Sequence, residues 1–315
     1  MEYYLGIDLG GTNIVAALVD EDFRILAKDA VRTNMPRSAD AICDDMAQLC
    51  RNLLDGAGLT FADVPWIGVG SPGMICDNVI AYSNNLHFHD VPLGDMLAER
   101  TGCLVFLEND GSAAALGEFF AGAGKGHSSL IEITLGTGVG GGIIIDSKVC
   151  SGSTGAAGEI GHMIIHPGGR LCTCGHQGCL EAYCSAVALR AITEEALAEH
   201  PDSRLKDFLK DGNASARTAF DAARAGDAIG QKIVDEFIYN LALGVTNITY
   251  MLQPEIICLG GGVAHEGETI TAPLRALIAQ MVCFNEKQLP RVETGVLGND
   301  AGLVGAALQG LQHRK

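Results

Sequence analysis

Four residues within eighteen positions, His162, Cys172, Cys174 and Cys179, carry the donor atoms of a metal site. Thiolates and an imidazole suit a borderline-soft divalent ion, and four such donors match tetrahedral zinc. Two carboxylates, Glu159 and Glu181, bracket the cluster. Neither is needed to close a site of one histidine and three cysteines, so both are free to bind something beside the metal. The segment therefore reads as a zinc-stiffened loop that presents polar groups to a ligand. A loop of reduced thiols is the alternative. In a secreted chain, clustered cysteines would default to disulfides. The start of this chain, Met1-Glu2-Tyr3-Tyr4-Leu5-Gly6, has neither the basic region nor the apolar run of an export signal. The expected compartment is the reducing cytoplasm, where cysteine clusters mean metal or catalysis. The other cysteines are scattered, and most read as small buried apolar residues.

A second chemistry lies in the glycine turns. Asp8-Leu9-Gly10-Gly11-Thr12-Asn13 and Leu135-Gly136-Thr137-Gly138 each follow a strand-like run. A glycine turn there lets backbone amides approach a phosphate closely. Neither is a Walker loop, because no Gly-Lys-Ser/Thr follows, and neither opens a helix as a dinucleotide fingerprint does. Taken singly, each could be a structural hairpin. Leu9 and Leu135, Gly10 and Gly136, and Asp20 and Asp146 match at an offset of 126 residues, which marks an internal repeat. With a third glycine run at Gly260-Gly261-Gly262, the repeat favours nucleotide binding and two similar domains. Asp110 lies where a strand gives way to a helix, a place that suits a charged, proton-accepting carboxylate. An N-capping Asp is the plain alternative.

The elements that must position these groups alternate. Strands are expected at Tyr3–Asp8, Ile14–Asp20, Trp66–Val69, Cys103–Leu107, Leu130–Thr134, Ile143–Asp146, Glu255–Leu259 and Arg291–Leu297. Helices are expected at Ser38–Leu54 with a stop at Gly56, at Leu93–Arg100 and Gly111–Phe120, and near 185–200, 215–225, 227–251, 268–283 and 302–312. Such alternation implies α/β layers. A chain of 315 residues with 48% hydrophobic residues can fill two cores. No apolar stretch reaches the roughly 18 residues of a membrane span. The net charge of −17 opposes nucleic acid and anionic lipid, while helix N-termini and backbone amides can still hold an ATP-sized anion.

Together these residues resemble the ROK family of bacterial sugar kinases and transcriptional repressors, within the actin-like ATPase and hexokinase superfamily. The resemblance rests on Asp8 to Asn13, Glu108-Asn109-Asp110, Leu135 to Gly142, Gly155 to His162, Cys172 to Glu181 and Leu259 to Gly262. It is nearest the glucokinase branch, through Ser71-Pro72-Gly73, Asn84-Asn85-Leu86 and Ala113 to Glu118. It implies two actin-like (ribonuclease H-like) α/β domains flanking a cleft, at 1–118 plus 300–315 and at 119–299, with the zinc loop at 162–181. It implies a hexokinase or glucokinase type of phosphotransferase that moves phosphate from ATP to the 6-hydroxyl of a hexose, with D-glucose preferred. Allose, mannose, fructose, N-acetylmannosamine and N-acetylglucosamine are the alternative substrates.

The resemblance also implies the roles. Asp110 would be the general base. Asn109, Glu159, His162 and Glu181 would bind the other sugar hydroxyls, with Gly73 closing the pocket. His162 would serve zinc with one ring nitrogen and sugar with the other, and Cys172, Cys174 and Cys179 would complete a structural zinc site. Gly10, Gly11, Thr12, Asn13, Gly136, Thr137 and Gly138 would hold the ATP phosphates, Gly261 and Gly262 the adenosine, and Asp8 would position magnesium. A homodimer or homotetramer is expected, with no nucleic acid or membrane partner. Repressors of the family carry a winged-helix domain before the first phosphate loop. Here that loop begins at Asp8, which favours the kinase over the regulator. Two local departures stand out: Gly111-Ser112 where the family often has Ala-Asn, and His87-Phe88 where glucokinases often carry a Trp.

Overall fold

The computed structural model describes residues 2–283 and 285–314. These fall into two compact units, Met1–Glu132 with Gly142–Gly158 and Val296–Lys315, and Ile133–Gly141 with Glu159–Gly295. Residues 119–132, 142–158 and 296–299, assigned from sequence to the second domain, cluster with the first.

The first unit is built on strands β1 (Tyr3–Leu9), β2 (Asn13–Asp20), β3 (Ile25–Arg32), β4 (Ile67–Ser71) and, after a small meander, β8 (Val105–Asn109). Their order is β3-β2-β1-β4-β8. β1, β2 and β3 are antiparallel neighbours, while β1, β4 and β8 run parallel. The three-residue turn between β1 and β2 carries the first glycine motif. The Gly10 amide donates to the Asn13 carbonyl at 2.9 Å, and the Thr33 hydroxyl donates to the Gly10 carbonyl at 2.6 Å. Helix α1 (Ala39–Ala57) starts at Ser38, whose hydroxyl caps Ala41 N–H. Ile42, Met46, Leu49 and Leu53 face a core shared with Leu5, Ile7 and Val69. The helix ends at left-handed Gly58, not at Gly56, because a stop needs a positive φ and Gly56 stays helical.

The meander, β5 (Met74–Cys76), β6 (Val79–Ser83) and β7 (Phe88–Val91), had no counterpart in the strand reading. Its strands are short and mixed in polarity. Its turn, Asp77-Asn78, has both residues at positive φ, the geometry of a two-residue hairpin turn. Asn78 then acts as a surrogate strand: its amide donates to Val105 C=O at 3.1 Å and accepts from Leu107 N–H at 2.8 Å. Helices α2 (Leu93–Thr101) and α3 (Asp110–Ala121) flank β8.

A second sheet contains β9 (Leu130–Leu135), β10 (Val139–Ile145), β11 (Lys148–Val149), β12 (Ile256–Gly260) and β13 (Arg291–Thr294), in the order β11-β10-β9-β12-β13. The turn between β9 and β10 again spans three residues, 136–138, so the repeat seen in sequence is a repeat in structure. The second unit adds the one-turn helix α4 (Glu181–Cys184), α5 (Ala186–Glu199), α6 (Thr218–Arg224), the long α7 (Ala228–Leu252) and α8 (Glu268–Met281). Phe220 on α6 meets Phe237 on α7 edge to face, with centroids 5.8 Å apart.

The chain ends in the first unit with α9 (Ala301–Leu308), followed by a 3₁₀ segment to His313 in place of one continuous helix. α9 lies so close to the sheet and to α3 that side chains are excluded. A Cβ on Gly68 would overlap Ala306 O, and one on Gly305 would overlap Ala113 O. The Trp66 indole donates to Ala307 C=O at 2.8 Å and stacks on Tyr4. No helix among the described residues is long and apolar enough to cross a membrane.

Candidate active site and metal centre

In the first unit, Asn109 rather than Asp110 caps α3. The Asn109 Oδ1 accepts from Gly111 N–H at 2.9 Å and Ser112 N–H at 3.3 Å, and its Nδ2 donates to the Gly73 carbonyl at 3.0 Å. Asp110 is the first residue of the helix, and its Oδ1 accepts from Gly111 N–H at 2.9 Å. The capping alternative for Asp110 is therefore filled by its neighbour. Gly73 sits at φ 114°, and a Cβ there would overlap Tyr82 O, so two independent constraints demand glycine.

Asp8 is the penultimate residue of β1, beside the first glycine loop. Desolvation pushes its carboxyl up to about 6, and the Asp110 charge adds to the rise. Asp110 keeps an open face to solvent, yet the protein around it raises its carboxyl as well, with the Gly111 N–H opposing. A carboxyl whose proton affinity is raised by a neighbouring carboxylate fits a divalent cation, which would relieve the repulsion. Gly11 packs against Asn85 at its turn, and Thr12 and Asn13 are exposed.

In the second unit, the ligand atoms of His162, Cys172, Cys174 and Cys179 all lie within 4.8 Å of one another. The Cys174 Sγ is 3.7 Å from Cys179 Sγ, and the Cys172 Sγ is 3.7 Å from His162 Nδ1. A tetrahedron with zinc–sulfur bonds of about 2.3 Å has edges of about 3.8 Å. The donor set fits zinc in both chemistry and spacing. His162 turns Nδ1 into the cluster, and its Nε2 lies 4.0 Å from Glu159 Oε2. The tight turns of the knuckle fall on Gly175 and Gly178, at φ 87° and 89°.

The second glycine loop is held at several points. Gly136 N–H donates to Gly138 C=O at 3.0 Å, and Ala186 N–H, at the start of α5, donates to Gly136 C=O at 2.8 Å. Val139 N–H donates to Glu181 Oε2 at 3.0 Å. A Cβ on Gly138 would overlap that oxygen, one on Gly161 would overlap Val139 O, and one on Gly261 would press on the Leu135 backbone. Gly262 is unobstructed. A cavity of about 390 Å³ opens beside the loop, lined by Thr137, Gly138, Thr173, Glu181 and Ser185 among others. The structure thus brings together the four candidate metal ligands, Glu181, the second loop and Gly261 in one unit, and Asp8, the first loop, Gly73, Asn109 and Asp110 in the other.

The model of the ROK family matches residues 4–312. The chain belongs to the ROK family. It is 38% identical over 313 residues to a glucokinase of Halalkalibacterium halodurans, covering 96% of this chain and 93% of that one. It is 37% identical over 307 residues to a glucokinase of Thermotoga maritima, covering 96% and 95%. The structure of a ROK family glucokinase from Streptomyces griseus, in complex with glucose and AMPPNP, superposes with a TM-score of 0.75 at 36% identity, covering 97% of this chain and 98% of that one. This ROK protein accordingly has the actin-like α/β fold of the family's sugar kinases and is a sugar phosphotransferase of the hexokinase and glucokinase type.

Two residues escaped the sequence reading. Thr173, between two cysteine ligands, donates its hydroxyl to Glu181 Oε1 at 2.8 Å. Glu118, 1% exposed on α3, accepts from the amides of Ala123, Val296 and Leu297 at 3.0, 3.1 and 2.8 Å. A lone acid on the apolar face of an alanine-rich helix was the available signal for Glu118. For Thr173 it was a hydroxyl at the one position between two thiolates.

Proposed function

We propose that this ROK protein is an ATP-dependent glucokinase that forms glucose 6-phosphate with Asp110 as general base. The observation that carries the reading is the division of labour at the start of α3. Asn109 takes over the capping, which leaves the Asp110 carboxyl, raised in proton affinity, for chemistry. In the proposed reaction the Asp110 carboxylate takes the proton of the sugar 6-hydroxyl. The sugar oxygen forms its bond to the γ-phosphorus of ATP while the bond to the β–γ bridging oxygen breaks, and ADP leaves. Asn109, Glu159, His162 Nε2 and Glu181 hold the remaining hydroxyls, with Gly73 at the pocket wall. Gly10 to Asn13 and Gly136 to Gly138 present amides to the phosphates, and Gly261-Gly262 flank the adenosine. The cavity beside the second loop has a size suited to a small ligand, which supports that placement.

Zinc on His162 and the three cysteines would stiffen the knuckle and fix the His162 ring, leaving Nε2 for the sugar. Magnesium, held through Asp8, would neutralise phosphate charge. Glucose as the preferred sugar is supported by the names of the relatives. The cysteine cluster, read as a metal site and not as disulfides, supports work in the cytoplasm. Exposed Tyr250, Met251 and Leu252 on α7 support a homodimer or homotetramer.

A coupled assay with ATP across glucose, mannose, allose, fructose, N-acetylmannosamine and N-acetylglucosamine tests the reading. The highest kcat/KM is expected for glucose. A clear preference for another sugar keeps the kinase and overturns the glucokinase.

A further inference from the structure

The Glu181 carboxylate bridges two parts of the second unit that the proposed mechanism treats separately. One oxygen accepts from the Val139 amide at 3.0 Å, at the end of the second glycine loop. The other accepts from the Thr173 hydroxyl at 2.8 Å, inside the cysteine knuckle. The fit is close on the loop side, since any side chain at Gly138 would strike the same carboxylate oxygen. Gly138 has no positive φ to explain a glycine, so the carboxylate is the reason for it. The knuckle meets the loop a second time, where the Val139 carbonyl lies over Gly161, next to His162.

We infer that Thr173 is a positioning residue for the nucleotide. Its hydroxyl fixes the Glu181 carboxylate, and that carboxylate sets the Gly138–Val139 turn that faces the phosphates. A carboxylate has about four acceptor positions, so the contacts from Val139, Thr173 and, at 3.6 Å, Cys172 Sγ leave room for the sugar contact proposed for Glu181. Thr173 selects the rotation of that carboxylate; it also lines the cavity beside the loop, so a Glu181→Gln background separates this role from a direct contact with ATP. The cysteine knuckle thereby governs nucleotide affinity as well as sugar affinity. The inference rests on the reading of residues 136–138 as a phosphate loop.

The test is equilibrium binding of AMPPNP by calorimetry, with zinc content measured alongside. Thr173→Val keeps the shape and removes the hydroxyl. It is expected to weaken AMPPNP by about tenfold, the scale of one hydrogen bond to a charged group. Thr173→Ser restores the donor and is expected to bind AMPPNP like the wild type. In a Glu181→Gln background the Thr173→Val effect is expected to shrink to near nothing, because the route runs through that carboxylate. Wild-type affinity in Thr173→Val overturns the inference, and so does an equal loss in Thr173→Ser. A Thr173→Val loss that persists undiminished beside Glu181→Gln, as it would if zinc were simply shed, also overturns it. Failure of the wild-type protein to bind AMPPNP at all would instead remove the phosphate-loop reading.

Discussion

Asn109 holds Gly73 by its Nδ2 while capping α3 with its Oδ1. One amide thus locks the end of β8, the start of the helix that carries Asp110, and the turn after β4. Asn109→Asp should keep the cap and lose the donor to Gly73. Asn109→Ala should lose both and cost about 1–2 kcal/mol of stability. Urea denaturation of the two variants separates the parts. Equal stabilities would show that the Gly73 bond contributes nothing.

Asp110→Asn should lower kcat by about 10² to 10⁴ while glucose still binds. Phosphoryl transfer depends heavily on positioning, so the lower end is the firmer expectation. Steady-state kinetics paired with a glucose-binding titration checks both halves. Turnover near that of the wild type would reduce Asp110 to a structural carboxylate.

Asp8 gives a pH dependence whose two signs oppose. Its folded carboxyl, at about 6, lies above the ordinary value near 3.8. The fold therefore favours the protonated form. That contribution is fully present below about pH 4 and is lost as pH rises through about 6. Magnesium needs the ionised form, so activity should rise over the same interval. Asp8→Asn should raise the melting temperature at pH 8 in EDTA, change it little at pH 4, and depress turnover at pH 8. An unchanged melting temperature at pH 8 would contradict the raised carboxyl.

Removing zinc should lower stability and glucose affinity together, since His162 would serve both in the proposed site. Elemental analysis of the intact protein should give about one zinc per chain, the capacity of one closed four-donor site. Metal-free protein that binds glucose with unaltered affinity would uncouple the knuckle from the sugar.

Gly68→Ala and Gly305→Ala should each destabilise by about 3 kcal/mol or more, because the new methyl meets backbone carbonyls that cannot rotate away. Thermal melts would show it. Gly302→Ala, on the same helix but in open space, is the control and should be neutral or slightly stabilising.

What the sequence revealed follows from periodicity and local rules. The strand-turn-strand repeat was legible because both halves keep the same turn length and the same Leu-Gly start. The convergence of His162 with the three cysteines was legible because coordination demands particular atoms at short spacing. The exact ends of α1 and of the last helix were not, since Gly56 and Gly58 look alike until φ is known. The β5–β7 meander was hidden because its strands are short and mixed in polarity, and it meets the edge of β8 through a side chain, Asn78, which no strand pattern anticipates. Glu181 was legible as a polar group beside the cysteine cluster. Its grip on Val139 depends on a contact across 42 residues, which no local pattern encodes.

Glu118 bears on how this chain is made. Two of its backbone partners, Val296 and Leu297, lie 178 and 179 residues downstream. The helix that covers Gly6, Gly68 and Trp66 follows directly after them. On the ribosome, the first unit must therefore wait with Glu118 holding only the Ala123 amide and one face of its sheet bare while the second unit is translated. Contacts this distant are slow to close and leave apolar surface open to aggregation in the interval. A nascent chain stalled before residue 296 should consequently be a strong client for chaperones, and one stalled after α9 should not.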